Sequence, residues 1–324
     1  MDISKVRLSH LPLPQDARDY QILCLSLFLG LGVAMRDWSL QPAIVATAIL
    51  TALVTQGMLS WLSSHKGLAL YFEKVIHGFP FRSGTAGEGA RYLEQTVAPP
   101  LPATPPLLKR RTFNWRSPLI TALGLSLLLR TDHMATMAFA ASIAIASKFL
   151  FKANNKHFFN PANLGIIAAL TLTNDAWVSP GQWGDEIWYA FIFIGAGGIV
   201  LKRVGRWDTT GMFLVSYALL EAVRNLYLGW TWDVWAHRMT SGSLLLFALF
   251  MVTDPRSIPN ARPARLFWAL AIAVLTFVLR NQFYLSTAVF WALFLLAPLT
   301  IVLDKLWKSP RFDWKKKETL VLTS

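Results

Sequence analysis

Hydrophobic residues occur along this chain in long blocks, and most polar residues lie between the blocks. Ten apolar blocks can be counted, and a helix needs roughly 17–25 residues to cross a bilayer. The blocks cover residues 20–35, 41–62, 117–129, 133–151, 160–177, 186–201, 209–228, 234–253, 264–279 and 286–303. They are continuous and lack strand-like alternation, which favours helices over a membrane β-barrel. The pattern predicts an all-α polytopic membrane protein with about ten transmembrane helices.

Composition and charge placement support the same class of protein. The 324 residues are 54% hydrophobic and 15% charged, which is too apolar for an ordinary soluble domain. With the N-terminus inside, ten spans assign 26 of the 31 Lys and Arg residues to one face. Because cytoplasmic loops are enriched in Lys and Arg, both termini are predicted to be cytoplasmic. The partner expected for the excess of basic residues is then the anionic lipid headgroups, and no nucleic-acid partner is expected.

The blocks and the loops between them divide the chain into four regions. Residues 1–63 hold an N-terminal tail and two helices, and residues 64–116 form a long cytoplasmic loop with a Pro-rich stretch. Residues 117–304 form an eight-helix body, and residues 305–324 form a basic cytoplasmic tail. No His/Cys cluster has metal-ligand spacing and no catalytic motif occurs. The sequence therefore assigns no metal and no catalytic residue, and redox chemistry would require a bound cofactor.

Two apolar segments resemble each other and mark a candidate binding site. The first opens on Asn-Pro-Ala-Asn (residues 160–163) and ends at Asp175. The second opens on Thr-Ser-Gly-Ser (residues 240–243) and ends at Asp254, about 79 residues after Asp175. Paired segments interrupted by Gly, Pro or Asn point to the binding site in membrane proteins built from repeats. We therefore predict that the two segment starts face one shared cavity.

Four stretches of sequence occur in an order that resembles a known family. They read SPLITALGLSLLL, KFLFKANNKHFFNPANLG, WAHRMTSGSLLLFALFMVTDPRSIP and LFLLAPLTIVLD. This order is similar to that in the D subunit of Rnf electron-transport complexes and the B subunit of the sodium-pumping NADH:quinone oxidoreductase. The sharpest matches are Phe-Asn-Pro-Ala (residues 159–162) and Val-Thr-Asp-Pro (residues 252–255). The resemblance covers roughly residues 117–304.

The resemblance implies a fold, a location and a set of partners. It implies two inverted five-helix repeats, similar in architecture to urea transporters, in a bacterial-type plasma (inner) membrane. It also implies an assembly that couples electron flow to sodium or proton movement, with other membrane subunits or a flavoprotein as partners. The chain would be at most a subunit of such a membrane oxidoreductase.

The resemblance further implies a flavin, although the chain departs from the family at the attachment motif. In the family, FMN is esterified to the threonine of a Ser-Gly-Ala-Thr motif on the loop after the Asn-Pro-Ala helix. Here that loop, residues 175–183, keeps Ser179 but has no threonine, and Ser-Gly-Ala-Thr occurs nowhere in the chain. The departure argues against covalent FMN and leaves FMN or riboflavin bound non-covalently as the expectation.

The candidate cofactor-binding residues lie in the two segments, and each has a structural alternative. They are Asn160, Asn163, Thr240, Ser241, Gly242 and Asp254. A helix start with free N–H groups suits a flavin ring or a phosphate. Asn160 before Pro161 is equally typical of an ordinary helix cap. Small residues at 240–242 admit either a ligand or a neighbouring helix.

Three further residues are candidates for an ion pathway: Asp175, Glu221 and Arg224. Asp175, like Asp254, would bind a cation, orient backbone or mark an exit to water. Glu221 and Arg224 lie within an apolar block, where ionisable residues are costly and usually functional. Because they are one turn apart, they would either neutralise each other or serve an ion or proton step.

Three functions remain open on the sequence alone. The first is an integral membrane subunit of an Rnf/Nqr-like electron-transport system, binding flavin non-covalently and linked to ion translocation. The second is a non-redox channel or transporter on the same fold, and the third is a membrane scaffold for a partner flavoprotein. A visible absorption spectrum separates the first from the others, and solute flux in liposomes separates the second from the third.

Overall fold

The computed structural model describes residues 16–36, 41–64, 113–179 and 187–312. In these ranges the helices are α1 Ala17–Arg36, α2 Pro42–Ser64, α3 Arg116–Leu128, α4 Met134–Leu150, α5 Pro161–Leu172, α6 Ile187–Val204, α7 Trp207–Tyr227, α8 Trp232–Met239, α9 Gly242–Leu246, α10 Arg262–Asn281, α11 Ala288–Leu296 and α12 Leu299–Leu306. A π-helical turn, Phe247–Met251, continues α9. The chain divides into two units, residues 1–56 with 115–324 and residues 57–114. Most of the predicted 64–116 loop lies outside the described residues.

Several described helices suit a bilayer. Helices α1, α2 and α10 are long and apolar enough to cross a membrane, and α11 with α12 forms a pair bent by 49° that passes the same test. Helices α3, α4 and α5, and the segment Gly242–Met251, are apolar but shorter. The chain is therefore a helical membrane protein, as predicted, while the count of ten spans stays a prediction.

Three predicted blocks are not continuous helices in the structure. The block at 160–177 stops being helical at Leu172, and Thr173 is already extended. The block at 234–253 breaks between α8 and α9, where Thr240 and Ser241 lie outside both helices. The block at 286–303 breaks next to Pro298, whose ring nitrogen cannot donate a helical hydrogen bond. Small polar residues and proline thus interrupt runs that hydropathy alone makes continuous.

The all-α prediction misses two short β pairings. Strand β1 (Leu129–Thr131) pairs antiparallel with β4 (Ala176–Val178), which joins the chain after α3 to the chain after α5. Strands β2 (Lys152–Ala153) and β3 (Lys156–His157) form a hairpin before α5. The two residues of its turn, Asn154 and Asn155, have φ of 50° and 60°. Asn tolerates this left-handed conformation, which a type I′ hairpin turn requires at both positions.

Small residues allow α4 and α5 to pack closely around the first segment. A Cβ on Gly165 would lie 2.6 Å from the Ala140 carbonyl oxygen and 3.0 Å from the Ala144 Cβ. Ala140 and Ala144 are themselves fully buried. In membranes such contacts let backbones approach and gain dispersion energy. This packing fixes the position of α5, and with it the two asparagines at its start.

Candidate functional site

Asn160 joins the start of the first segment to the end of the second. Its Oδ1 accepts a hydrogen bond of 3.1 Å from the backbone N–H of Asn163 and so caps α5. Pro161 follows at the start of the helix, where its missing N–H costs nothing. The Asn160 Nδ2 donates to the Met251 carbonyl oxygen at 3.2 Å. The same buried side chain therefore acts as a helix cap and as a tertiary contact.

Asn163 lies deeper and has one polar atom without a partner. The side chain is buried, with 1% exposure, and its Nδ2 donates to the Phe290 carbonyl oxygen at 3.0 Å. Its Oδ1 is buried and accepts no hydrogen bond from any described residue. The Phe290 ring packs edge-on against Phe247 at 5.9 Å, so this oxygen lies where α5, α11 and the π turn meet. A buried acceptor left unpaired costs about 1–3 kcal/mol, so a ligand N–H here would be stabilised.

Side-chain donors satisfy the carbonyl groups at the end of the second segment. The Thr210 hydroxyl of α7 donates to the Ala248 carbonyl oxygen at 2.7 Å, and the Thr253 hydroxyl donates to that of Leu249 at 2.8 Å. With Asn160 on Met251, three carbonyls near the π turn receive side-chain hydrogen bonds. Hydrocarbon cannot satisfy such groups, so the broken helix depends on these neighbours.

The start of the second segment lies away from the contact that Asn160 makes with Met251. Thr240 ends α8 and its hydroxyl donates to the Ala236 carbonyl oxygen at 2.9 Å, while the Ser241 hydroxyl lies 3.0 Å from that of Ser243. Asn160 contacts a residue ten positions after Ser241, which is roughly 15 Å along a helix. The hydrogen bond of Asn160 therefore joins the start of one segment to the end of the other, and the shared cavity of the two starts stays a prediction.

Asp254 closes the second segment against the residue that precedes the first. Its carboxylate lies 3.7 Å from His157 Nε2 and accepts the backbone N–H of Arg256 at 3.1 Å. Burial alone would raise the pKa of Asp254, but the hydrogen bond and charge of His157 outweigh it and hold the pKa below its ordinary value. Its backbone N–H donates to the Met251 carbonyl oxygen, which Asn160 also contacts, so Asp254 lies beside Asn160. Gly242 is separate from them and is buried at the start of α9.

Asp175 caps α4 from the far end of the first segment. Its carboxylate accepts the His133 backbone N–H at 3.2 Å and the Thr136 hydroxyl at 2.8 Å. Desolvation would raise the pKa of Asp175, but these hydrogen bonds outweigh it and lower the pKa. An anionic cap at a helix start is favoured by the helix dipole. The contacts match the backbone-orienting alternative for this residue.

The expectation that Glu221 and Arg224 neutralise each other is wrong. Glu221, which is 2% exposed, accepts from Arg238 Nη1 at 2.8 Å and from Asn281 Nδ2 at 2.9 Å. The Arg224 guanidinium instead lies over the Trp230 ring, 4.6 Å from its centroid. A three-residue spacing permits a pair on one helix face. Here, however, Arg238 of α8 and Asn281 of α10 each donate to one oxygen of the Glu221 carboxylate, so both oxygens are satisfied.

The structure shows a charged pair beside the hairpin that the sequence analysis did not single out. Lys156 Nζ lies 2.7 Å from Asp304 Oδ2 and also donates to the Ile258 carbonyl oxygen. The other Asp304 oxygen accepts the Asn260 backbone N–H at 2.8 Å. Burial lowers the pKa of Lys156, although Asp304 opposes the shift. A signal was present, because Asp304 ends an apolar run just as Asp175 and Asp254 do.

These features define a helical membrane protein in which broken apolar helices meet and satisfy each other's backbone groups. A comparison with known families gives a specific assignment. The chain belongs to the NQR2, RnfD, RnfE family, whose sequence profile matches residues 22–313. The family resemblance seen in the sequence is thereby confirmed.

Two curated relatives share part of the chain. The D subunit of the ion-translocating oxidoreductase complex of Stutzerimonas stutzeri is 31% identical over 114 residues, which is 35% of this chain and 32% of the relative. The protein of the same name from Halorhodospira halophila (strain DSM 244 / SL1) is 28% identical over 122 residues, 37% of this chain and 34% of the relative. The chain thus matches about a third of the length of each.

Proposed function

We propose that this chain is an integral membrane subunit of an Rnf/Nqr-type ion-translocating oxidoreductase complex. The family match over residues 22–313 carries the proposal, and both curated relatives are named as the D subunit of an ion-translocating oxidoreductase complex. The chain lies in a bacterial-type plasma membrane, with other subunits of the complex as its partners. Within that complex it contributes a membrane scaffold and a cofactor site.

Contacts within the structure support the proposed topology of ten spans with cytoplasmic termini. The β1–β4 pairing joins two connections assigned to the outer face. Glu221 and Arg238 also pair toward that face. Lys156 and Asp304, assigned to the cytoplasmic face, pair with each other. Each contact links residues that the positive-inside rule puts on the same side of the membrane.

The proposed cofactor is FMN or riboflavin, held non-covalently beside Asn163. The unpaired Asn163 Oδ1 is an acceptor for a flavin N–H, while the amide nitrogens of Asn160 and Asn163 are already engaged by carbonyl groups. A flavin in this place would supply one- and two-electron transfer. The absence of the acceptor threonine after Asp175 supports a non-covalent mode. Thr240, Ser241 and Gly242, at the start of the second segment, form the second wall of the proposed site.

Among the ion-pathway candidates, Glu221 is the one we propose for a translocation step. It is buried in a span, and its partners Arg238 and Asn281 come from two other helices. Relative movement of those helices would release a carboxylate that hydrocarbon cannot stabilise alone. The role of Asp175 in this proposal is to hold the outer end of α4, and that of Arg224 is to anchor near Trp230.

The proposal is tested in inverted membrane vesicles from a host lacking this chain, with and without complementation by the full chain. Ion uptake driven by an electron donor should be lost on deletion and restored by the chain. The Glu221→Gln variant should restore assembly but not uptake, whereas Arg224→Gln should restore both. Passive solute flux through the chain in liposomes, independent of any electron donor, would instead favour the channel or transporter.

A further inference from the structure

A cavity of about 240 Å³ lies beside the hairpin, at the face assigned to the cytoplasm. It is bordered by the β2–β3 hairpin, by Asn260 and by α12 with the chain that follows. This volume far exceeds the roughly 10–15 Å³ that a single water needs. The two asparagines at the start of α5 do not line it, so it is separate from the proposed flavin site.

The charges around the cavity leave a positive excess. Lys156, Lys308 and Arg311 line it together with Asp304. Both oxygens of Asp304 are already engaged, one by Lys156 and one by the Asn260 backbone N–H. Lys308 and Arg311 are exposed at the rim, where Arg311 also donates to the Asn155 carbonyl oxygen at 2.6 Å. Among the residues that the structure describes, two cations therefore face the cavity without a carboxylate of the lining left to neutralise them.

A second observation points to a ligand that also carries a hydroxyl. The Asn260 Oδ1 is buried and has no hydrogen-bond partner among the described residues, so it lacks a donor. Ser309 adds a hydroxyl to the lining, while Phe158 and Ile301 supply apolar wall. Trp307, at the end of α12, is 41% exposed and is the type of residue that marks a membrane–water interface. The site thus combines two cations, an unpaired hydrogen-bond acceptor and an apolar edge at the level of lipid headgroups.

We propose that this cavity binds a phosphate group carried by a small polyol, as in the glycerol-phosphate headgroup of an anionic phospholipid. Lys308 and Arg311 contact the phosphate, and a headgroup hydroxyl donates to Asn260 Oδ1. Basic pockets between helices on the cytoplasmic side suit anionic headgroups, and charge-assisted contacts with Arg are strong. A bound headgroup would tie the hairpin before α5 to the last helix.

The test measures lipid retention by the purified, delipidated full chain with native mass spectrometry. Phosphatidylglycerol, phosphatidylcholine and inorganic phosphate are added separately and in competition. Phosphatidylglycerol should bind more tightly than phosphatidylcholine, and Lys308→Gln or Arg311→Gln should weaken it about ten-fold or more, the loss of one charge-assisted hydrogen bond. Lys305→Gln removes the same charge from an exposed position on α12 outside the cavity, and should leave binding unchanged.

Asn260→Ala provides a variant that spares the charges and the hairpin, and it should also weaken phosphatidylglycerol. Thermal unfolding without lipid shows whether each variant is folded. Displacement of phosphatidylglycerol by inorganic phosphate alone would support the phosphate site and assign it to a soluble phosphate compound, whereas retention against excess phosphate assigns it to the lipid. Equal binding of phosphatidylcholine, or an equal loss in Lys305→Gln, would overturn the proposal.

Discussion

Replacing Asn160 separates its two contributions to stability. Asn160→Ser keeps a helix-capping oxygen but loses the donor to the Met251 carbonyl, whereas Asn160→Ala loses both. The Met251 carbonyl also accepts the Asp254 backbone N–H at 3.3 Å, so it would not be left wholly unsatisfied. The tertiary hydrogen bond should therefore contribute about 1 kcal/mol, near the usual net value. The cap should contribute about another 1 kcal/mol.

We expect the free energy of unfolding to fall by about 1 kcal/mol in Asn160→Ser and about 2 kcal/mol in Asn160→Ala. Chemical unfolding in mixed micelles, followed by tryptophan fluorescence, measures both values. Thr171→Ala, a polar-to-alanine change at the other end of α5, is the control and should shift stability by less than about 0.5 kcal/mol. If Asn160→Ser unfolded with the same free energy as the native protein, the hydrogen bond between the two segments would contribute no stability. If Asn160→Ala unfolded with the same free energy as Asn160→Ser, the helix cap would contribute none.

The remaining predictions concern ion pairing, packing and flavin attachment. Arg238→Met should lower the free energy of unfolding by about 3–5 kcal/mol, because it leaves the buried Glu221 carboxylate without its cation. Arg224→Met should lower it by about 1 kcal/mol, the loss of a cation–π contact. Equal losses in chemical unfolding of the two variants would refute the observed pairing. Gly165→Ala should destabilise by about 1–3 kcal/mol, whereas Gly195→Ala, which meets no atom within 4 Å, should be tolerated; a neutral Gly165→Ala would contradict the close packing. Co-expression with an FMN transferase should give no fluorescent band on a denaturing gel, and a band that disappears in Ser179→Ala would show serine attachment.

The sequence predicted the class of protein because membrane crossing depends mainly on the length of apolar runs, which can be read directly along the chain. It also offered a helix cap at Asn160 as one of two alternatives, since Asn before Pro is a local signal, and the structure shows that cap. It could not predict where the helices break. At the π turn, Phe247–Met251, Thr210 of another helix satisfies a carbonyl group. Pro298 is a local cause of the bend beside it, but Trp268 of another helix also donates there, to the Leu296 carbonyl oxygen at 3.1 Å.

The sequence also misassigned the partner of Glu221, where a nearer residue competed with distant ones. Arg224 is closest to Glu221 along the chain, but Arg238 and Asn281 reach the carboxylate from other helices. Asn160 likewise contacts Met251, at the end of the second segment, a partner that the match between the two segment starts did not indicate. Such choices are decided by tertiary geometry, which spacing along one helix does not contain.

The non-covalent flavin proposed at Asn163 is best examined by a single measurement. The visible absorption spectrum of the chain purified from its native membrane is recorded, and the protein is then precipitated with acid. We expect flavin absorption that moves entirely to the acid supernatant, is lost in Asn163→Leu and is retained in the volume-conserving control Leu170→Met. A colourless native protein, flavin that stays in the protein pellet, or full retention in Asn163→Leu would contradict the proposal.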